Sequence, residues 1–148
     1  MNNSVNELEE IITNNLLSIN SLKNDIENKN NEQYDQLKAI SLCLIDIIDS
    51  FERIQESLSE KYIDKSNEAY KIINRYTTIQ KKIMNILYKY GITKIEFPDN
   101  RLIVGLCEVI DTQPSNNKKN DEIISIVRNG YIRGKELIRS AQIIVVKN

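Results

Sequence analysis

The first part of the chain repeats apolar residues in alternating steps of three and four. β-Branched residues fall at heptad position a and leucine at position d, a pattern that favours a parallel two-stranded coiled coil. Asn15 falls on a d position, where a polar residue sets the register of the paired helices. The apolar residues of this seam are Val5, Leu8, Ile12, Ile19, Leu22 and Ile26.

A single amphipathic helix packed on its own chain is the alternative, because Ile11, Leu16 and Leu17 lie outside the seam. The stretch is rich in asparagine and too polar to anchor a lone helix well, so the pattern favours the dimer.

The seam weakens after Ile26, where Lys29 and Gln33 fall on it. Asparagine is a poor helix former, and it is frequent at this point in the chain. The sequence therefore predicts fraying or a break of the helix around Asn28, Asn30 and Asn31.

Two further amphipathic helices are predicted. The first carries Leu37, Ile40, Leu44, Ile47, Ile48, Phe51, Ile54 and Leu58, and the second carries Ile72, Ile73, Tyr76, Ile79, Ile83, Ile86, Leu87 and Tyr90. One helical hairpin covers two such stripes poorly, whereas hairpins from two paired chains form a four-helix bundle. The residues predicted to contribute to dimerisation are Leu8, Ile12, Ile19, Leu22, Ile26, Leu44, Ile48, Phe51, Ile79 and Ile83.

The last third of the chain reads as β structure. Gly91 ends the second helix as a left-handed cap, and extended segments are predicted at residues 93–97, 101–112 and 122–127, with a polar loop at 113–120. Gly130 and Gly134 permit positive φ angles, which predicts a bend between them. A final strand follows, in which Arg139 and Gln142 interrupt the apolar residues Leu137, Ile138, Ile143, Ile144, Val145 and Val146.

Composition and charge exclude some classes of function. The formal net charge is −1 with no dense basic run, so the electrostatic footprint of a nucleic-acid binder is missing. Residues 1–10 lack the features of a signal peptide, and no apolar run reaches the ~18 residues needed to span a bilayer. We therefore expect a cytoplasmic protein that binds neither nucleic acid nor membrane.

The sequence contains few residues that point to catalysis, cofactor binding or metal binding. The chain has no histidine and no phosphate-binding glycine loop, so we expect neither an enzyme nor a bound cofactor. Cys43 and Cys107 are each flanked by apolar residues and have no partner at metal-ligand spacing. Both are predicted to be buried structural thiols.

Residues 127–147 carry an ordered motif, V-x-x-G-Y-x-x-G-x-x-[LI]-[LI]-R-x-A-x-[VI]-x-V-x-K. The motif resembles the C-terminal segment of the GrpE family, the nucleotide exchange factors of DnaK-type chaperones. Residues 44–53 (LIDIIDSFER) and 89–92 (KYGI) resemble two shorter motifs of the same family, in the same order. The N-terminal part matches in pattern only and starts late, which implies that the disordered extension of many family members is absent.

The resemblance implies an α+β architecture: a parallel coiled-coil helix at residues 1–35, a helix pair forming a dimeric four-helix bundle at 36–91, and a small all-β domain at 92–148. It also implies a homodimer whose β domain tilts a lobe of a DnaK-type ATPase domain so that ADP leaves, with no nucleotide bound by the dimer itself. The family's contact positions fall on Val127, Asn129, Glu136 and Val146, and Lys135 is expected to act beside Glu136. Each of these positions also has a purely structural interpretation. Val127 and Val146 are equally compatible with the core of a strand, and Asn129 and Glu136 are compatible with solvent-exposed turns.

Several residues depart from the family pattern. Glu136 stands where an arginine is usual, Arg75 where glycine is frequent, and Ile103 and Gly105 where the family has H-x-A. Asp46 and Ser140 replace common prolines. Two alternatives stay open on these grounds: a divergent GrpE-like dimeric scaffold without exchange activity, and a coiled-coil protein unrelated to chaperones.

Overall fold

The structure, a computed structural model, describes residues 2–61 and 68–148. These residues form two helices followed by six strands. The helices are α1 (Asn2–Lys61) and α2 (Glu68–Lys89), and the strands are β1 (Ile92–Lys94), β2 (Cys107–Gln113), β3 (Ile123–Arg128), β4 (Tyr131–Arg133), β5 (Glu136–Arg139) and β6 (Ala141–Val146). The predicted α+β class, with long helices before a small β region, is confirmed.

Helix α1 is continuous, so the predicted break near Asn30 is wrong. An asparagine costs only about 0.7 kcal/mol relative to alanine in a helix, whereas ending a helix and starting another requires a new, unfavourable nucleus. Residues 2–61 contain neither glycine nor proline to force a stop. The predicted coiled-coil helix and the first helix of the pair are therefore one element.

The chain divides into two compact units, Met1–Ala39 and Ile40–Asn148. From Val5 to Ile26 the large apolar residues of α1 are 48–63 % exposed, both in the heptad seam and outside it. The residues concerned are Val5, Leu8, Ile11, Ile12, Leu16, Leu17, Ile19, Leu22 and Ile26.

The second unit contains two apolar clusters. The first joins α1, α2 and strands of one sheet, through Ile45, Ile48, Leu87, Ile92, Tyr131 and Ile138. The second lies under the other sheet and consists of Ile123, Ala141, Ile143 and Val145, with Phe97, Leu102 and Cys107 packed against it. The side chains of Ile45 and Ile48 are fully buried, so the inner face of α1 is part of the core of this unit.

The strands form two three-stranded sheets with orders β1-β4-β5 and β2-β6-β3. The first sheet is antiparallel, whereas β6 pairs parallel to β2 and antiparallel to β3. The single final strand that the sequence predicts is wrong, because the chain leaves β5 at Ser140 and enters the other sheet as β6. The strand predicted at 101–112 is also too long: Arg101 makes only an isolated bridge to Glu122, and β2 begins at Cys107.

The glycines have different roles. Gly91 (φ +75°) confirms the predicted left-handed cap, and Gly134 (φ +59°) lies in the turn between β4 and β5. The predicted bend from Gly130 to Gly134 is wrong, because Tyr131–Arg133 is a strand and Gly130 has no positive φ. At Gly130 a Cβ would overlap the backbone nitrogen of Ala141 and lie 2.6 Å from Cδ1 of Ile95, so close approach of the backbone requires glycine.

Both cysteines are free thiols, but their predicted burial is not observed. Cys43 is exposed and Cys107 is half-buried. The inner face of α1 carries Ser41 and Ile45, and at 3.6 residues per turn Cys43 points away from it. Neither described helix is long and apolar enough to cross a membrane.

Candidate functional site

Three acidic residues of α1 point toward the β strands. Asp46, Asp49 and Glu52 are spaced by three residues, which places them on one side of the helix. This side adjoins the buried residues Ile45 and Ile48. A carboxylate at the border of a core requires a cationic or hydrogen-bonding partner, and the β region supplies it.

Asp49 is paired with Arg139 of β5. Arg139 donates from Nη1 to Oδ2 of Asp49 at 2.7 Å and from Nη2 to Oδ1 at 2.9 Å. The Asp49 side chain is 8 % exposed and that of Arg139 is 12 % exposed. The contact is thus a bidentate ion pair that is largely removed from water, the geometry in which arginine–carboxylate pairs are most directional.

Arg128, the last residue of β3, forms hydrogen bonds with both Asp49 and Asp46. It donates from Nε to Oδ2 of Asp49 at 2.8 Å and from Nη2 to Oδ1 of Asp46 at 2.7 Å. Asp46, Asp49, Arg128 and Arg139 are called the ion-pair cluster below. All four belong to the unit Ile40–Asn148.

The cluster controls the protonation of Asp49. Burial alone would raise the pKa of this carboxyl group, but hydrogen bonds from Arg139 and Arg128 and their positive charges outweigh burial and lower the pKa. The hydrogen bond to Asp49 raises the pKa of Arg128 against the opposing effect of burial. Asp49 is therefore a carboxylate over the whole physiological range.

Glu52 extends the network by one helical turn. Its Oε2 accepts a hydrogen bond from Nδ2 of Asn129 at 2.9 Å, and its Oε1 lies 3.4 Å from Nζ of Lys94. The carbonyl oxygen of Asn129 in turn accepts from Nη2 of Arg139 at 2.7 Å. Asn129 is thus held from both ends, between α1 and β5.

Tyr131 lies beneath the cluster and is fully buried. Burial, together with the negative charges of Glu52 and Asp49, raises the pKa of its hydroxyl to about 12. The guanidinium carbon of Arg139 lies 5.5 Å from the centroid of the Tyr131 ring, within range of a cation–π contact. The hydroxyl lies 3.8 Å from Sδ of Met84 on α2, so Tyr131 connects the cluster to the second helix.

A cleft of about 430 Å³ opens beside the cluster. Its lining is mostly charged or polar, with one apolar exception: Asp49, Glu52, Arg53, Glu56, Val127, Arg128 and Gln142. Within the described part of the chain, no three acidic or thiol side chains come together as a metal site would require. The cleft suits contact with a polar surface better than retention of an apolar ligand.

The structure places the five predicted chaperone-binding residues in different surroundings. Val127 is 55 % exposed at the end of β3, and Lys135 and Glu136 are exposed at the turn between β4 and β5. Asn129 is half-buried in the contact with Glu52. Val146 is 1 % exposed, so its side chain belongs to the core of this chain rather than to its surface.

The ten predicted dimerisation residues also differ. The five seam residues of the first unit and Ile79 of α2 (46 %) are exposed. Leu44, Phe51 and Ile83 are half-buried, and the Phe51 ring lies 5.6 Å from that of Tyr76. Ile48 is fully buried inside its own chain, which leaves it no surface for a second copy.

The ion-pair cluster was not predicted from the sequence. One signal pointed to it, because Arg139 interrupts the apolar run of the C-terminal motif. A charge within an apolar run requires a partner of opposite sign when it is buried. Asp49 is that partner, although it lies outside the apolar stripe predicted for the helix.

Comparison with known proteins finds several relatives that are similar in sequence to this chain. Protein GrpE of Wolbachia sp. subsp. Brugia malayi is 30 % identical over 104 residues, which cover 70 % of this chain and 53 % of the relative. Protein GrpE of Porphyromonas gingivalis is 29 % identical over 103 residues, covering 69 % and 50 % respectively. Protein GrpE 2 of Buchnera aphidicola subsp. Schizaphis graminum is 29 % identical over 156 aligned positions, covering 99 % and 82 %.

The chain thus spans about half the length of the first two relatives and most of the third. The family model described as GrpE matches residues 1–147, which include both helices and all six described strands. The resemblance of the C-terminal motif is therefore confirmed by a match along the helices as well. The chain belongs to the GrpE family.

Proposed function

We propose that the chain is a co-chaperone that acts as a homodimer and promotes ADP release from the ATPase domain of a DnaK-type chaperone. The observation that carries the proposal is the family match over residues 1–147, because it includes the helices expected to dimerise and the β region expected to bind. The dimer would act by binding alone, with no covalent step and no nucleotide of its own.

The exposed apolar faces of the second unit support a second copy as partner. Isoleucines recur at intervals of seven along both helices and are 42–60 % exposed: Ile40, Ile47 and Ile54 on α1, and Ile72, Ile79 and Ile86 on α2. Such faces are unusual on a monomer and are covered when two helical hairpins form a bundle.

Exchange follows from differential affinity. If the dimer binds the open form of the ATPase domain more tightly than the closed form, it shifts the population toward the open form, from which ADP leaves. The exposed residues Val127, Lys135 and Glu136 are the predicted contacts in the β region. Val146 could contribute only indirectly, by supporting the strand from which neighbouring side chains project.

Stopped-flow release of fluorescent ADP from the cognate chaperone tests the proposal. We expect the release rate to rise with the concentration of this protein until it saturates. Sedimentation under the same conditions should show a dimer. An unchanged release rate together with measurable binding to the chaperone would support a dimeric scaffold without exchange activity instead.

The scaffold is retained as a second candidate because Glu136 is exposed where the resemblance leads us to expect an arginine. If the chaperone carries the usual acidic partner, two like charges meet there, which costs up to several kcal/mol when desolvated and much less at a wet rim. Adjacent Lys135 is expected to supply the missing positive charge.

Calorimetric titration of Glu136→Arg and Lys135→Ala against the cognate chaperone and a generic bacterial DnaK addresses this point. Glu136→Arg should strengthen binding to the generic chaperone, and Lys135→Ala should weaken it in a salt-dependent manner. Glu96→Arg, at an exposed glutamate outside the predicted contact set, is the matched control. Unchanged affinities for both variants would place Glu136 and Lys135 outside the interface.

A further inference from the structure

The ion-pair cluster connects α1 to the β region, and its Asp49–Arg139 pair is largely removed from the surface. Asp49 and Arg139 are 8 % and 12 % exposed, and they come from α1 and β5 respectively. We propose that Asp49 is a positioning residue for nucleotide exchange: through Arg139 and Arg128 it fixes the orientation of the β region on α1. This inference rests on the proposed function.

The geometry of the cluster restricts rotation more than apolar packing alone does. Arg139 donates to both oxygens of Asp49 and also to the carbonyl of Asn129, so its planar guanidinium is fixed from two sides. Arg128 approaches Asp49 from the end of β3, in the other sheet. The carboxylate of Asp49 therefore ties both sheets to one helical turn, through directional bonds with little tolerance for misalignment.

The buried polar atoms of the cluster all have hydrogen-bond partners. Among the described residues, no buried side-chain nitrogen or oxygen lacks a hydrogen-bond partner. A buried ion pair contributes little net stability compared with apolar residues of the same volume, and conformational specificity is one reason for retaining it. Here the specificity concerns the angle between residues 40–61 of α1 and the β region, which belong to the same unit.

That angle matters for exchange because only a difference in affinity between open and closed ATPase domains accelerates release. A β region that rotates on α1 while bound to the chaperone fits both the open and the closed ATPase domain. It therefore retains its affinity for the chaperone but loses its preference for the open form. A loosened cluster should therefore lower the maximal rate of ADP release while leaving the concentration for half-maximal effect nearly unchanged.

Asp49→Asn tests the inference, since the amide keeps the shape of the side chain and removes its charge. We expect the saturating rate of ADP release to fall about tenfold, within the usual range of coupling free energies, and the half-saturating concentration to change less than about threefold. Asp99→Asn is the control, because Asp99 is an exposed aspartate outside the ion-pair cluster. It should change the saturating rate by less than about twofold.

Arg139→Lys is the second variant, which keeps the positive charge and loses the bidentate contact. It guards against failure of Asp49→Asn to fold, which circular dichroism at the assay temperature would reveal. A fall in saturating rate for folded Arg139→Lys supports the inference. Full saturating rates in folded Asp49→Asn or folded Arg139→Lys overturn it and leave the proposed function intact, whereas a wild-type protein that does not accelerate release overturns the proposed function itself.

Discussion

Arg139 and Asp49 lie 90 positions apart in the sequence and share two parallel hydrogen bonds, of 2.7 and 2.9 Å. Each residue belongs to a segment that resembles a GrpE motif, residues 44–53 and 127–147. The two motifs are therefore in physical contact. This contact leads to predictions about stability that do not depend on any partner protein.

Replacing Asp49 by alanine should lower the free energy of unfolding by about 3 kcal/mol, because Arg139 is left as a largely buried charge without its carboxylate. Asp46→Ala should cost no more than about 1 kcal/mol, as expected for an exposed ion pair. Urea denaturation of both variants measures the difference. Equal losses would mean that burial does not determine the strength of the cluster.

Acid should lower the free energy of unfolding because it protonates Asp49. Its pKa is lowered in the folded protein from the ordinary value of 3.8, so its contribution is present above pH 3.8 and is lost as the pH falls through the folded-state pKa. The difference in unfolding free energy between wild type and Asp49→Asn should be constant above about pH 5 and should shrink below pH 4. A difference that persists undiminished to pH 2 would contradict this assignment.

Alkali should lower the free energy of unfolding because it ionises Tyr131, whose pKa is raised from 10.0 to about 12. The neutral hydroxyl contributes stability that is complete below pH 10 and is lost as the pH rises toward 12. The loss attributable to this group is on the order of 2 to 3 kcal/mol. Tyr131→Phe should therefore flatten the decline in unfolding free energy between pH 10 and 12, and an unchanged decline would contradict this assignment.

Gly130→Ala should be more damaging than Gly134→Ala. At Gly130 the new methyl group would overlap the backbone of Ala141, and we expect a loss of about 3 kcal/mol. At Gly134 the space is open and only the left-handed backbone (φ +59°) opposes alanine, at about 1 kcal/mol. Thermal denaturation of the two variants provides the comparison, and the reverse order would refute the close-approach explanation.

Cysteine cross-linking tests the heptad seam. In a background with Cys43 and Cys107 replaced by serine, Ile12→Cys should form a rapid interchain disulfide under a mild oxidant, because position a residues of parallel helices face each other. Leu17→Cys is the control, since Leu17 is more accessible than Ile12 (63 % against 49 % exposed) but lies outside the seam. Equal cross-linking at both positions would indicate random collision, and none at Ile12 would exclude a parallel in-register pair.

Local sequence patterns predicted the helices and strands better than they predicted the contacts between them. Helical periodicity identified α1 and α2, and the cap at Gly91 was found because a left-handed residue after an apolar stripe has a distinctive local signature. The break near Asn30 was wrong because weak propensities do not terminate a helix that lacks glycine and proline.

The site was harder to predict for a different reason. Asn129 and Val146 were matched by motif position, but whether a residue faces outward depends on which strands lie beside it. Val146 ends the central strand of its sheet and is buried, and Asn129 is bound to Glu52, 77 positions away. Likewise, Gly130 is selected by proximity to Ala141, a constraint that sequence alone cannot distinguish from a need for positive φ.

The placement of β6 between β2 and β3 has a consequence for the order of folding during synthesis. The two outer strands do not pair with each other, and the strand that each pairs with is β6. A nascent chain that has emerged as far as Arg139 can form α1, α2 and the first sheet, but it holds β2 and β3 as unpaired strands. The second sheet must then assemble in a single late step, and any premature stop before Ala141 would release a polypeptide with two open strand edges, which are prone to aggregation.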